Sequence, residues 1–146
     1  MPTPKVNPAK DLGFLVADSY RLMRRVFDQR RGDGSLPLAQ TRALLFVSRH
    51  EGVCQRDLAE RLDLQPMTLA RSLDQLVAAG LVERRTDPAD RRAFRIFLCP
   101  PAKPVLARIR RDIDAIAREA LAGFSADEAA LLNDLLVRLR DQLGKL

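Results

Sequence analysis

Apolar residues recur at a helical spacing along most of the chain. Between positions 12 and 31 they fall on a 3.6-residue stripe, which predicts an amphipathic helix. The stripe consists of Leu12, Leu15, Val16, Leu22, Met23, Val26 and Phe27. The run RRGDGSLP, with two glycines and a proline, ends that helix. A second helix is expected from about Leu38 to His50, with Leu44, Leu45 and Val47 facing inward.

The last third of the chain continues the helical pattern. After CPPAKP, the apolar residues Leu106, Ile109, Ile113, Ile116 and Ala120 follow the three-and-four spacing of a narrow coiled-coil seam. Ser125 and Glu128 make a capping-box sequence that begins a final helix. These helices and the first carry more apolar surface than a small domain can cover. Residues 1–35 and 102–146 are therefore predicted to form a helical dimerisation region; an intramolecular bundle is the alternative.

The stretch QRDLAERLDLQPMTLARSLDQLVAAGL predicts two helices joined by a tight turn. A short helix is expected from Gln55 to Leu62. Pro66 suits the first turn of the next helix, where its missing N–H costs nothing, and that helix should end near Ala79. Gly80 follows as a helix-ending residue. Two helices separated by three or four residues are typical of a helix-turn-helix motif.

The second of these helices divides into two faces. Leu69, Leu73, Leu76 and Val77 are expected to point inward. The other face is rich in hydrogen-bonding side chains and contains no carboxylate, which favours base-edge and phosphate recognition in a DNA major groove over an ordinary solvated face. The candidate recognition residues are Met67, Thr68, Arg71, Ser72 and Gln75.

A β-hairpin is predicted directly after this helix. Its strands run from Leu81 to Arg85 and from Ala93 to Leu98, and they enclose the loop TDPADRR. A hairpin in this place makes the motif a winged helix-turn-helix, whose arginine-bearing tip would enter the minor groove of A·T-rich DNA. Asp90 is expected to hold Arg91 or Arg92 by a bidentate ion pair, although a solvated loop with an incidental ion pair is the alternative. The candidate wing residues are Arg84, Asp90, Arg91 and Arg92.

The predicted fold class is therefore mainly α with a small β-hairpin. It combines a winged helix-turn-helix DNA-binding domain over residues 36–101 with the helical dimerisation region. A chain of 146 residues, 47% hydrophobic and 30% charged, suits this size of globular protein. It has no apolar run of about 18 residues and no apolar segment near its start, so we expect no membrane segment and a cytoplasmic location.

The charge balance favours a polyanionic partner. The formal net charge is +6, and arginine supplies 21 of the 25 cations. Arginine makes bidentate and groove contacts, although a GC-rich genome produces the same bias.

Catalytic and metal chemistry find little support in the sequence. Two cysteines, Cys54 and Cys99, and one histidine, His50, are too few for a zinc site. A Cys54–His50 pair is separated by a predicted turn, and no nucleophile–base set or phosphate-binding glycine loop is present. We expect no cofactor, no metal and no enzymatic activity.

The elements LARSLDQL, GLVER and DPADRR, in this order, resemble the MarR family of bacterial transcriptional regulators, and they look closest to its SlyA-type branch. The resemblance is strongest over residues 40–100. It implies a homodimer on a pseudo-palindromic operator, usually as a repressor or counter-silencer. By resemblance, Thr68, Arg71 and Ser72 match groove-reading positions, and the wing tip matches at 90–92. Asp63 departs from the pattern, because glycine is common there in a left-handed turn.

The resemblance also implies a response to small aromatic carboxylate or phenolic ligands, bound between the dimerisation layer and the winged domain. Tyr20, Arg21, Arg24 and Arg42 are the candidate pocket residues, although ordinary exposed arginines would look the same in the sequence. The predicted function is thus a sequence-specific double-stranded-DNA-binding regulator that represses transcription and responds to a ligand. The alternative is a winged-helix module for protein interaction or non-specific DNA binding.

Overall fold

The computed structural model describes residues 7–146, which form six α-helices and one small antiparallel sheet. The elements in order are α1 (Pro8–Arg30), α2 (Leu38–Arg49), β1 (Val53–Cys54), α3 (Gln55–Arg61), α4 (Pro66–Ala78), β2 (Val82–Thr86), β3 (Phe94–Leu98), α5 (Ala102–Ala120) and α6 (Ala126–Leu143). The predicted fold class, mainly α with a winged helix-turn-helix, is confirmed. The observed helix boundaries lie within a few residues of those expected from the periodicity.

The chain divides into two compact units, one up to Arg111 and one from Asp112 onward. The helix-turn-helix, the sheet and α1 all belong to the first unit. The functional grouping of residues 1–35 with 102–146 stays a prediction.

The sheet has the strand order β1-β3-β2, with both pairings antiparallel. The hairpin register joins Val82 to Leu98 and Thr86 to Phe94. Strand β1 was not expected from the sequence, where residues 51–53 read as the turn after α2. It exists because Val53 pairs with Ile96 of the distant hairpin, and a two-residue strand has no periodicity that a sequence could display.

The core of the first unit lies between α2, α3, α4 and the sheet. Leucines dominate it, and burying each one contributes about 1.5–3 kcal/mol. The largest fully buried side chains are Leu44, Val47, Leu58, Leu69, Leu73, Leu76, Val82 and Ile96. The inward face predicted for α4 is confirmed at its three leucines but wrong at Val77, which is 38% exposed.

Two left-handed residues set the direction of α4. Asp63, in the turn before the helix, has a φ of 50°, which confirms the left-handed conformation expected at that position. Gly80, just after the helix, has a φ of 71°. A side chain adopts this conformation at a steric cost, which glycine does not incur. The left-handed turn at Gly80 lets the chain pass from α4 directly into β2, so the hairpin lies next to the helix.

Helices α1 and α6, each taken by itself, expose large apolar side chains. On α1 these are Leu12, Phe14, Leu15, Val16, Tyr20, Leu22 and Met23, of which Phe14 is 81% exposed. On α6 they are Leu131, Leu132, Leu135, Leu136, Val137 and Leu143. The predicted capping box of α6 is confirmed, since Ser125 Oγ accepts a hydrogen bond from the Glu128 N–H and the Glu128 carboxylate accepts one from the Ser125 N–H. Within residues 7–146, no helix is both long and apolar enough to cross a bilayer.

Candidate nucleic-acid interface

The exposed face of α4 presents four of the five predicted recognition residues. Met67, Thr68, Arg71 and Gln75 are all exposed, and Met67 is 69% exposed. The Arg71 side chain makes no hydrogen bond or ion pair with the described residues. Pro66 begins the helix, so Met67 and Thr68 lie in its first turn, and Arg71 follows one turn later. This end of α4 can offer hydrogen-bond donors and an apolar side chain to a duplex groove.

Ser72 does not belong to that face. Its residue is buried, with 7% exposure, and it lies beside Leu69, Leu73 and Leu76. At 100° per residue, Ser72 falls about 60° from Leu69, within the apolar stripe of the helix. Arg71 falls roughly on the opposite side. The assignment of Ser72 as a groove-reading residue is therefore corrected: Ser72 is buried on the side of α4 that carries the core leucines.

Gln75 is exposed, but a partner holds its side chain. Its Oε1 accepts a hydrogen bond from Nε2 of Gln40, a buried residue on α2. This contact links the second half of α4 to α2. The amide nitrogen of Gln75 keeps its donors for another partner.

The wing tip presents two arginines. The loop closes through backbone hydrogen bonds from the Asp87 N–H to the Ala93 carbonyl (2.9 Å) and from the Ala93 N–H to the Asp90 carbonyl (3.0 Å). Arg91 and Arg92 are exposed, and their guanidinium groups have no partner among residues 7–146. Both cations are therefore available to a DNA backbone or groove.

Asp90 acts differently from the expectation that it would pair with one of these guanidinium groups. Its Oδ1 accepts a hydrogen bond from the backbone N–H of Arg92 at 2.9 Å. An aspartate that bonds to the backbone two residues ahead is a common turn-stabilising arrangement. It orders the main chain of the tip while both arginine side chains stay unpaired.

A buried aspartate forms an ion pair at the base of the wing, and sequence analysis did not predict it. Asp87, 8% exposed, accepts hydrogen bonds at Oδ1 from the Ala89 N–H (3.0 Å) and at Oδ2 from Nε of Arg95 (3.0 Å). Arg95 Nη1 also donates to the carbonyl of Gly52, at 3.0 Å. Gly52 is 43 residues away in the sequence, so no local pattern could have indicated this contact. The base of the wing is thereby fastened to the turn between α2 and β1.

The Arg84 guanidinium is held by partners within the first unit. The residue is half-buried, and its guanidinium donates to Asp74 Oδ1 (2.6 Å), Gln55 Oε1 (3.1 Å) and the Ala70 carbonyl (3.2 Å). These partners already engage Nε, Nη1 and Nη2. The geometry thus disagrees with the assignment of Arg84 to the DNA-contacting wing residues.

Three of the four predicted effector residues line one cavity in the first unit, of about 390 Å³. Its lining residues are Tyr20, Arg24, Leu38, Ala39, Arg42, Leu62, Asp63 and Leu64. Arg42 Nη2 donates to the Leu62 carbonyl at 2.9 Å, and the Arg24 guanidinium lies 5.8 Å from the centre of the Tyr20 ring. Arg21 lies outside the lining and pairs with Asp18 at 2.7 Å.

The remaining reactive side chains show no assembled site. Cys54 and Cys99 are half-buried free thiols. The His50 ring packs against Phe46, with 4.5 Å between the ring centroids. Over the part of the chain that the structure describes, no three His, Cys, Asp or Glu residues are placed to hold a metal ion.

Comparison with known proteins assigns the family. A model of the MarR family matches residues 35–93, the region that contains α2, the helix-turn-helix and the wing loop. A solved structure of the transcriptional regulator PA3341 is 34% identical in sequence, with a TM-score of 0.78, over 92% of this chain and 99% of that chain. The match to this structure therefore extends well beyond residues 35–93, to nearly the whole chain.

Two further structures that share the fold contain a bound partner. The PcaV transcriptional regulator from Streptomyces coelicolor, in complex with its natural ligand, is 25% identical over 95% of this chain and 98% of that chain, with a TM-score of 0.70. A mutant MarR from E. coli, complexed with operator DNA, is 23% identical over 94% and 99%, with a TM-score of 0.73. These relatives are transcriptional regulators and not enzymes, which confirms the expectation that this chain is not an enzyme. The assignment to the SlyA-type branch stays a prediction. The chain belongs to the MarR family of transcriptional regulators.

Proposed function

We propose that this protein is a repressor that binds a pseudo-palindromic DNA operator as a homodimer and releases it when a small ligand binds. The observation that carries the proposal is the pairing of two basic features in the first unit. One is the exposed face of α4 with its unpaired Arg71, and the other is the wing tip with unpaired Arg91 and Arg92. The single carboxylate of α4, Asp74, is already bonded to Arg84, so it does not oppose this basic surface with a free charge.

The two features suit the two grooves of a duplex. The first turns of α4 would enter a major groove, where Arg71 can form a bidentate contact with a guanine edge or hold a phosphate. The wing would follow the backbone to the adjacent minor groove, where guanidinium groups are attracted to narrow A·T-rich segments. Asp90 lowers the entropic cost of this contact because it orders the tip before DNA arrives.

The exposed apolar faces of α1 and α6 support the dimer. Large exposed apolar patches on a soluble protein mark surfaces that a partner covers. A second copy of the chain would cover such faces and would double the net charge to about +12. Two α4 helices about one turn of B-DNA apart would then read two half-sites.

The cavity beside Arg42 supports the ligand response. Two guanidinium groups and a phenol hydroxyl line it together with leucine side chains, which suits a small aromatic carboxylate or phenolate. An anion that pairs with Arg42 would compete with the Leu62 carbonyl in the turn between α3 and α4. Such a ligand changes DNA binding only as far as it prefers the DNA-free arrangement of that turn.

The test is a selection of bound genomic fragments by the purified protein at about physiological salt. The wild type is compared with Arg71→Ala and with Arg108→Ala, a matched loss of an exposed arginine on α5. A two-fold symmetric motif that disappears only in Arg71→Ala would support the proposal. Binding without sequence preference would overturn it and would favour a non-specific DNA-binding or protein-interaction module.

A small-molecule arm then tests the ligand response. Salicylate and other aromatic carboxylates are titrated into the wild-type complex with the selected operator and into the Arg42→Gln complex. We expect release of DNA from the wild type and a weaker response in Arg42→Gln. An equal response in both proteins would place the ligand elsewhere.

A further inference from the structure

We infer that Arg84 is a positioning residue that sets the sequence selectivity of α4 without touching DNA itself. This inference rests on the proposed function, because selectivity has meaning only if α4 reads a duplex. Arg84 lies on β2, opposite Ile96 of the central strand β3. Its backbone is therefore held by the sheet, and its side chain reaches away from the wing.

The guanidinium joins three parts of the first unit. On α4 it reaches both Asp74 Oδ1 and the carbonyl of Ala70, one helical turn earlier. Its Nε donates to Gln55, the first residue of α3. The planar group with fixed donor directions holds all three acceptors only in one arrangement. Arg84 thereby holds both helices of the helix-turn-helix in a fixed position relative to strand β2.

The contacts with α4 constrain its rotation as well as its distance. Ala70 lies immediately before Arg71 in the sequence, so a rotation that moves Arg71 also moves the Ala70 carbonyl. At a side-chain radius of about 5–6 Å, a rotation of 20° displaces a side-chain tip by roughly 2 Å. That displacement is enough to lose a bidentate base contact, whose atoms must lie at hydrogen-bonding distance.

The same contact also neutralises the one acidic group of α4. Asp74 is exposed whereas Arg84 is half-buried, so the pair adds little to folding stability. The electrostatic effect of the pair is confined to the exposed face of α4. Without Arg84, the Asp74 carboxylate would face approaching phosphates unpaired.

The experiment compares Arg84→Ala, Arg84→Lys and Asp74→Ala with the wild type. The matched control is Arg85→Ala, which removes the same charge from the next residue of β2, where the guanidinium pairs with Glu83 and stacks on Phe97. Affinity for the selected operator and for an unrelated duplex is measured across a series of salt concentrations. Circular dichroism and thermal unfolding establish that each variant is folded.

We expect the ratio of operator to unrelated-duplex affinity to fall at least about fivefold in each Arg84 and Asp74 variant. Lysine keeps the charge but cannot span three acceptors, so Arg84→Lys should lose selectivity as Arg84→Ala does. The slope of log affinity against log salt on the unrelated duplex should stay unchanged, because no phosphate contact is removed. Arg85→Ala should keep the wild-type ratio.

The opposite result is equally distinct. If Arg84 bound a phosphate in each subunit, Arg84→Ala would lower the salt slope by about two and weaken both duplexes equally. In that case, Asp74→Ala would raise affinity because a repelling carboxylate is gone. Either outcome, or an unchanged ratio, would overturn the inference. If Arg84→Ala failed to fold, Arg84→Lys and the exposed-site variant Asp74→Ala would still decide it. A wild type without sequence preference would instead overturn the proposed function.

Discussion

The carboxylate of Asp90 is bonded to the backbone N–H of Arg92, at 2.9 Å, and not to its guanidinium. Because of this contact, one residue orders the main chain of the wing tip and another supplies its positive charge. The main chain is fixed by a local turn, and the cation stays free for DNA. The two functions can therefore be removed one at a time.

Replacing Asp90 tests the ordering function. Asp90→Asn keeps an oxygen acceptor for the Arg92 N–H, so we expect near wild-type operator affinity. Asp90→Ala removes the acceptor and frees the tip. Since ordering one residue costs about 1–2 kcal/mol, operator affinity should fall by a comparable amount. Titration of labelled operator checks both variants, and equal affinities for Asn and Ala would contradict the role of the turn.

Replacing Arg92 tests the charge function. We expect Arg92→Ala to weaken binding most on operators with A·T-rich flanks, because a narrow minor groove attracts a guanidinium most strongly. The measurement is operator affinity on matched duplexes that differ only in A·T or G·C flanks. An identical loss on both flanks would show that Arg92 contacts a phosphate and does not enter the groove.

Arg71 and Ser72 are neighbours in the sequence, but we expect only the replacement of Arg71 to change the sequence preference. Arg71→Ala should cost roughly 1–3 kcal/mol of operator binding and relax the sequence preference. Ser72→Ala should leave the preference unchanged, because Ser72 is buried beside the core leucines. Competition binding with a library of single-base operator variants compares the two. A changed preference in Ser72→Ala would argue for a different rotation of α4 in the complex.

Arg95 is expected to matter for stability. Arg95→Ala leaves Oδ2 of the buried Asp87 without its donor, and an unsatisfied buried acceptor costs about 1–3 kcal/mol. Urea unfolding measures the loss. Arg85, the residue opposite Arg95 in the hairpin register, provides the control, since Arg85→Ala removes an exposed pair and a ring contact worth less than about 1 kcal/mol. Equal destabilisation by the two variants would contradict the special role of Asp87.

The exposed apolar face of α6 predicts an effect on assembly. Leu135→Glu places a charge on that face, and we expect it to shift the dimer toward monomer at micromolar concentration. Light scattering coupled to size-exclusion chromatography measures the mass. Asn133→Glu, the same charge change at an exposed polar position about 160° away around the helix, should leave the mass unchanged. A dimer that persists in Leu135→Glu would exclude this face of α6 from the interface.

The features that could be predicted well from the sequence are those that depend on residues close together along the chain. The leucines of α4, the capping box of α6 and the glycine after α4 each involve residues within a few positions, so periodicity and turn chemistry reveal them. Val77 and Ser72 were placed on the wrong faces because both lie near the boundary of the apolar stripe, where pattern alone does not decide. Strand β1 and the contacts of Arg84 and Arg95 depend on partners 8 to 43 residues away. Only the folded chain brings them together.

The turn at Gly52 limits how this protein can change. A methyl group there would lie 3.3 Å from the Phe97 ring, and the φ of 82° already disfavours any side chain. The Gly52 N–H donates to the Ile96 carbonyl, and its own carbonyl accepts from Arg95. An insertion in this turn would therefore displace the wing, although the turn lies outside both candidate DNA-contacting segments. The side chains of α4 and the wing tip can change without disturbing these contacts, whereas the length of the Gly52 turn cannot.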